Sequence, residues 1–334
     1  MKKFLKRIFI FILPLVLFFL IIVGTFYFLD PFKILKHYDE FKNSIVAYNE
    51  DYVATERYLE KKTHYNSFVF GSSRAGCGFM SESWEKYLQK TDSAYSFAAS
   101  NESIFGIVGK VRLIDKENER LDNALVILDT DETFKRFTNS SGHLFIKHPL
   151  ISNDSRHNFI SEYLKDYIFK GFFVPYLDYK LFRSKRGYMH GFLTLDVDTS
   201  ERYIAFNVKH KESLIEANSK LYYDERKNVF YKRNLNESVL GRQILSQGIE
   251  DLKDIKRIFD KHHSKYKIVI SPLYDQEKLN PKDMDILIQI FGVGNVYDFS
   301  GKNFITKDET NYYETSHYRR EVGNKILSMI YPAK

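Results

Sequence analysis

Four short apolar segments, each closed by polar residues, constrain this chain more than any other feature. They are residues 67–70, 94–99, 124–128 and 267–270. A strand buried on both faces reads as a continuous apolar run, and strands that alternate with helices assemble into a parallel sheet covered on both sides. The spacing of apolar residues predicts helices near 81–89, 104–118, 240–262, 281–291 and 319–330, with a last strand at 295–299. The expected fold is therefore α/β, a three-layer sandwich around a mostly parallel sheet. In such sheets ligands sit beyond the carboxyl ends of the strands. Here those ends run into Ser72-Ser73, Ser100-Asn101 and Asp129-Thr130-Asp131.

A second pattern precedes the first strand. Residues 8–29 carry no charge and are almost wholly apolar, while Lys2, Lys3, Lys6 and Arg7 stand before them. About 20 apolar residues suffice to cross a bilayer as a helix, and a basic flank stays on the cytoplasmic side. The reading is an uncleaved signal anchor with a cytoplasmic N-terminus, contact with the lipid bilayer through residues 8–29, and the main domain outside the cytoplasm. A cleaved signal peptide is the alternative. Its apolar core is shorter and ends in a small-residue cleavage site, which Gly24-Thr25-Phe26-Tyr27-Phe28 does not offer.

The 334 residues, 44% hydrophobic, are ample for a large core. Four of the seven excess positive charges lie in the flank, leaving +3 on the rest. That is too mild for a nucleic-acid partner, and no basic stripe interleaved with aromatics stands out. The clusters Arg183-Ser184-Lys185-Arg186 and Arg319-Arg320 read as solvated surface, with anionic lipid or polymer as the alternative. Cys77 is the single cysteine, so no internal disulfide forms, and it reads as a packing residue.

The expected layout is a flank and anchor over 1–30, a helical stalk or packed helix over 31–65, and one α/β domain over 66–334. Residues 134–234 fit the strand–helix alternation badly and read as an insertion, a lid or substrate-binding section. Within it 159–182 looks helical and aromatic, and 192–208 mixes strand-like and turn-like pieces.

Two motifs carry chemistry. Asn66-Ser67-Phe68-Val69-Phe70-Gly71-Ser72-Ser73-Arg74 is a buried strand running into a small-residue turn. Gly71 tolerates backbone conformations closed to other residues. Ser73 would stand at a helix entrance whose free N–H groups suit an oxyanion; the plainer reading of Ser-Ser is a helix cap. Far downstream, Glu314-Thr315-Ser316-His317 places an acid three residues before an imidazole. A serine hydroxyl is a poor nucleophile until a base takes its proton, and the base works best when a carboxylate orients it. A surface Glu–His pair is the plain alternative. The two motifs follow the first and last strands of the sheet, which is what joins them.

That arrangement resembles the SGNH (GDSL-like) hydrolase superfamily. Phe70-Gly71-Ser72-Ser73-Arg74 is similar to its first block in the branch of membrane-anchored cell-envelope proteins that includes the DltD family and alginate O-acetylation proteins. Glu314-x-x-His317 resembles the Asp-x-x-His block, with Tyr318 and Val322-Gly323-Asn324 fitting the same branch. The resemblance covers residues 65–131 and 240–330. It implies a flavodoxin-like fold, with Ser73 as nucleophile, His317 as general base and Glu314 as orienting acid. It also implies oxyanion donors at the Ser73 N–H and in the second and third blocks. Ala98-Ala99-Ser100-Asn101 stands at the second, which makes Asn101 the candidate. Asp131 stands where the third block has an asparagine, and as a carboxylate it would repel an oxyanion.

The expected function is a membrane-anchored extracytoplasmic serine esterase or acyltransferase. It would act on acyl groups, acetyl first among them, of a cell-envelope or exported polysaccharide, with a membrane O-acyltransferase as a candidate partner. The alternative is a non-catalytic envelope scaffold of the same fold that binds polymer or such a partner. Gly71-x-Ser73-x-Ala75 also approaches the nucleophile elbow of α/β-hydrolases, but those enzymes place the serine after several strands and the acid far upstream of the histidine. No cofactor or metal is expected. There is no phosphate-binding glycine loop; His143, His148 and His157 lack helical metal spacing, His262-His263 reads as solvated, and Asp196-x-Asp198 reads as a turn.

Overall fold

The computed structural model describes residues 2–38, 45–193 and 208–331. It divides into two compact units. The larger comprises Asn49–Ser140, Lys147–Asn153 and Asp198–Lys334. Its centre is a five-stranded, all-parallel sheet: β1 (Ser67–Phe70), β2 (Ala94–Ser96), β3 (Asn123–Leu128), β4 (Lys265–Ile270) and β5 (Val296–Asp298), in the order β2-β1-β3-β4-β5. This is one of the two common doubly wound orders.

The burial pattern explains the order. Every residue of β1, β2 and β3 is buried, as is the carboxyl half of β4, so the centre of the sheet is covered on both faces. On one face Val69, Leu125, Ile127 and Val269 pack with Ala75, Trp84, Val322 and Ile326 from the helices Ser73–Gly78, Ser81–Glu85 and Arg320–Ile330, and with Phe79 just after the first of them. The amphipathic helices Ile104–Lys116 and Ser246–Lys261 pack against each other and bury Ile107, Val111, Leu252, Ile255 and Phe259. At roughly 1.5–3 kcal/mol per fully buried large apolar side chain, this double cover is the main source of stability.

The register aligns the carboxyl ends. Phe70 pairs with Val126, and Leu128 with Ile270, so β3 runs two residues past β1. Beyond β2 the pairing continues, with Phe97 N–H donating to Val69 O at 2.8 Å and Ala99 N–H to Gly71 O at 3.1 Å. The strand expected over 94–99 is thus shorter as an element, yet its chain stays beside β1 up to the serine turn.

The smaller unit comprises Met1–Tyr48, Ser141–Ile146 and Asp154–Val197. Its Lys2–Leu29 helix is the one helix among the described residues long and apolar enough to cross a membrane; a signal anchor and a signal peptide share that property. The expected aromatic helix is two, Arg156–Phe169 and Phe173–Phe182, broken at Gly171, whose φ of 78° no other residue type adopts easily. Among the described residues of the stretch 31–65 expected to be helical, the α-helix is Glu50–Glu60, capped by the Asn49 side chain, which accepts from Tyr52 N–H at 2.9 Å. Residues 31–38 instead wrap around Asp30, whose carboxylate accepts from Ile34, Leu35 and Lys36 N–H and from Tyr38 Oη. Asp196-x-Asp198 and most of 192–208 lie outside the described residues.

Candidate functional site

The site is built where β1 ends. The chain must leave the sheet while β3 continues alongside. A Cβ on Gly71 would sit 2.8 Å from Ala75 Cβ and 2.9 Å from the Ile127 carbonyl oxygen, and its φ is 151°. Only glycine fits there. Ser72 then caps the helix Ser73–Gly78, its Oγ accepting from Arg74 N–H at 3.1 Å and donating to Asp129 Oδ2 at 2.5 Å. The capping role considered for this serine pair falls to Ser72, which leaves the Ser73 hydroxyl unoccupied by the backbone.

Ser73 Oγ lies 2.9 Å from His317 Nε2. His317 Nδ1 lies 2.6 Å from Glu314 Oε1, and the other Glu314 oxygen accepts from Ser316 N–H at 2.7 Å. The acid and the imidazole sit on a short antiparallel hairpin, Tyr312–Glu314 with His317–Tyr318, irregular in register at Glu314. Glu314 therefore fixes both the turn and the ring. Burial favours its protonated form, but the hydrogen bond and charge of His317, the Ser316 N–H and Lys211, 3.5 Å away, outweigh it and hold the carboxyl at about 2. The groups form a continuous chain from hydroxyl to imidazole to carboxylate. With the carboxylate accepting at Nδ1, Nε2 faces Ser73 as an acceptor.

Arg74 ties this chain to the rest of the sheet end. Its guanidinium binds Asp131 in a fork at 2.6 and 2.9 Å, approaches Asp129 at 3.2 Å, and donates from Nε to the Ser316 carbonyl at 2.8 Å. Burial opposes the charge, but the two aspartates raise the Arg74 pKa further above its ordinary value. One side chain thus links the serine turn, the end of β3 and the loop that carries His317.

The remaining expected site residues fall as follows. The Ser73 N–H has no acceptor among the described residues, as befits the first N–H of a helix. Asn101 follows β2 in a left-handed conformation, φ 53°; its carbonyl accepts from Arg136 at 2.8 Å and its side-chain amide makes no hydrogen bond among the described residues. Asp131 offers both carboxylate oxygens to Arg74, an acceptor where the third block would need a donor. Cys77 is buried between Met80, Val208, Ile215 and Tyr313, and burial pushes its thiol up to about 12.

Sequence reasoning passed over three contributors. Arg74 stood inside the serine motif, but its aspartate partners lie far downstream at Asp129 and Asp131, so no local signal marked its role. Lys211 and Glu212 lie within the stretch read as an insertion, on the helix Val208–Glu225. Glu212 accepts from Tyr313 Oη at 2.5 Å and from Arg319 at 2.6 Å, so this helix braces the hairpin on both sides of Glu314 and His317. Tyr222 and Tyr223 add hydroxyl bonds to the Tyr313 and Tyr312 carbonyls at 2.9 and 3.0 Å. Nothing local in the sequence announces that pairing.

Among the described residues no cluster of His, Cys, Asp and Glu could hold a metal ion. His143 bonds to Asp166, His148 to Glu56 and His262 to Asp115, so His262 is a paired residue and not a solvated one. A cavity of about 640 Å³ lined by Tyr87, Asp92, Asn123, Tyr266 and Tyr331 opens at the amino ends of the strands, away from this chemistry. A search of known protein families found no match to this chain, and neither did a search of curated proteins.

Proposed function

We propose that the protein is a membrane-anchored, extracytoplasmic serine esterase or acyltransferase of SGNH type. The observation that carries this reading is the Ser73–His317–Glu314 relay, with contacts of 2.9 and 2.6 Å closed across 244 residues of chain. Ser73 Oγ attacks the acyl carbonyl while His317 Nε2 takes its proton. The Ser73 N–H and the Asn101 amide are the donors that would face the oxyanion. The protonated imidazole then gives its proton to the departing alcohol oxygen. Water, or a sugar hydroxyl, attacks the acyl-enzyme with His317 again as base, which regenerates Ser73. Arg74 neutralises Asp131 and so removes the repulsion that a lone carboxylate would exert there.

The substrate class, acyl groups such as acetyl on a cell-envelope or exported polysaccharide, follows from the resemblance and from the anchor. Supporting an uncleaved anchor, Ile22 and Phe26 of the apolar helix are buried within the smaller unit, and cleavage would strip that cover away. The basic flank supports a cytoplasmic N-terminus. The test is Ser73→Ala in the full chain in detergent, with release of p-nitrophenol from its acetate ester as readout. We expect turnover to fall at least about a thousandfold, to the level of residual non-nucleophilic catalysis. Undiminished turnover rejects the assignment. Labelling of the wild type by a fluorophosphonate, lost in Ser73→Ala, excludes the scaffold reading, which the donor-to-acceptor change at Asp131 would otherwise favour.

A further inference from the structure

The helices Arg156–Phe169 and Phe173–Phe182 belong to the same unit as the apolar helix Lys2–Leu29 and pack against it. The contacts fall on one stripe. The Phe18 and Phe173 rings are 6.1 Å apart, Phe26 and Tyr167 5.6 Å, Thr25 Oγ1 and Tyr167 Oη 3.2 Å, and Tyr176 Oη reaches the Leu29 carbonyl at 3.5 Å. Residues 8–29 rise about 33 Å as a helix, and the stretch from Phe18 to its end about 16 Å. Side chains that touch Phe18 and Phe26 therefore lie at the depth of the outer half of a bilayer spanned by that helix.

The residues that do not face the apolar helix are just as apolar. Phe169 is 81% exposed, Leu181 74%, Phe182 64% and Val174 48%. Left in water, such a surface would be an aggregation liability. Its border is basic. Lys180, Arg183, Lys185 and Arg186 follow one another at the end of the second helix, with Lys180 over the Tyr176 ring at 5.5 Å and the Arg186 guanidinium over Phe182 at 5.3 Å. The acid on that helix, Asp178, is met by Arg186 at 3.2 Å. Apolar and aromatic bodies bordered by Lys and Arg are the composition of a segment lying in the membrane interface, where the apolar face enters the acyl boundary and the cations reach phosphates.

We propose that this helix pair is a second, peripheral membrane-binding element, seated in the outer lipid interface beside the spanning helix, with Phe169, Leu181 and Phe182 in lipid and Arg183, Lys185 and Arg186 on phospholipid headgroups. The proposal rests on Lys2–Leu29 spanning the bilayer. The cluster Arg183-Ser184-Lys185-Arg186, which reads from sequence as solvated surface, is then the polar border of a lipid contact.

The test uses the full chain in vesicles of phosphatidylethanolamine and phosphatidylglycerol. Single cysteines replace Phe169, Leu181, Leu13 or Lys90 and carry an environment-sensitive fluorophore; native Cys77 is 3% exposed and stays unlabelled. Quenching by nitroxide on lipid chains and by aqueous iodide is compared. We expect labels at Phe169→Cys and Leu181→Cys to be quenched by the lipid nitroxide and to show iodide quenching about fivefold weaker than at Lys90→Cys, as an interfacial location requires. Iodide access equal to that at Lys90, with Leu13 still in lipid, overturns the proposal and spares the anchor. Protection from iodide without lipid quenching also overturns it, pointing to protein cover. Iodide access at Leu13 as well would overturn the anchor reading and this proposal with it.

Discussion

Glu314 decides what the imidazole beside Ser73 can do. One of its oxygens holds His317 Nδ1 and the other the Ser316 N–H, so charge and orientation come from the same group. Its carboxyl is held at about 2, below the ordinary 4.5, so it contributes stability above pH 4.5 that is lost only as pH falls towards 2. Between pH 4 and 9 it stays ionised, and the acid limb of a rate profile will not come from its titration. Glu314→Gln keeps the shape and removes the charge. Its amide also has a donor that turns the ring to the wrong tautomer, and loss of the orienting carboxylate in such relays costs on the order of 10²–10⁴ in kcat. We expect that fall in kcat for p-nitrophenyl acetate, with KM changed little. A kcat within twofold of wild type would remove Glu314 from the relay. At this scale the meeting of Ser73, His317 and Glu314 was legible because each sits in a short motif at the end of a strand or on the closing turn. Arg74, Lys211 and Glu212 were not, because their roles come from partners 55 to 242 residues away, and a long-range ion pair leaves no local pattern.

The relay is only as good as the packing between the two elements that carry its ends. The serine-bearing helix Ser73–Gly78 and the closing helix Arg320–Ile330 meet glycine to glycine. A Cβ on Gly323 would fall on the Gly78 carbonyl oxygen, and a Cβ on Gly78 would fall on the ring of Tyr318, next to His317. Both obstacles are backbone or a fully buried ring, so neither can step aside. Gly323→Ala must part the helices. We expect a loss of about 1–3 kcal/mol, the usual cost of overpacking. A displacement near 1 Å between Ser73 and His317 should also lower kcat about a hundredfold. Thermal denaturation and p-nitrophenyl acetate turnover report the two effects, and Gly294→Ala, which meets nothing within 4 Å, is the control that should change neither. Elements with one clear period were legible in position: the buried strands and most amphipathic helices match their expected places within a few residues, while the helix expected over 240–262 begins only at Ser246. The helical reading of 31–65 began too early because Asp30 gathers the following N–H groups into a turn, an alternative to the helix that apolar spacing does not register.

Across the whole chain, the larger unit is knitted by charge as well as by its sheet. Glu50 and Asp51 at the start of one helix, Glu102 after β2, Lys110 on the next helix and Lys147 far downstream are each less than 5% exposed. Lys110 Nζ reaches Asp51 at 2.8 Å and also binds Glu102 and the Phe97 carbonyl, while Lys147 reaches Glu102 at 2.7 Å. Two ammonium groups face three carboxylates, so one carboxyl is in excess. Glu50 is the one that yields: burial raises its pKa from 4.5 to about 8 against the opposing pull of Ser100, Lys110 and Lys147. Because the folded value lies above the unfolded one, the stability this group contributes is complete below pH 4.5 and is lost as pH rises through 8. Ser100 Oγ donates to Glu50 at 2.9 Å, and Ser100 precedes Asn101, so the same titration acts on the loop that carries a proposed oxyanion donor. Glu50→Gln keeps a neutral amide in that place and cannot ionise. The stability of the variant relative to wild type should therefore rise between pH 4.5 and 8 by up to about 1.4 kcal/mol per pH unit, then level off. Denaturation of both proteins across that range measures it. Parallel curves would mean that Glu50 ionises at its ordinary pH and that the excess charge is carried elsewhere in the cluster.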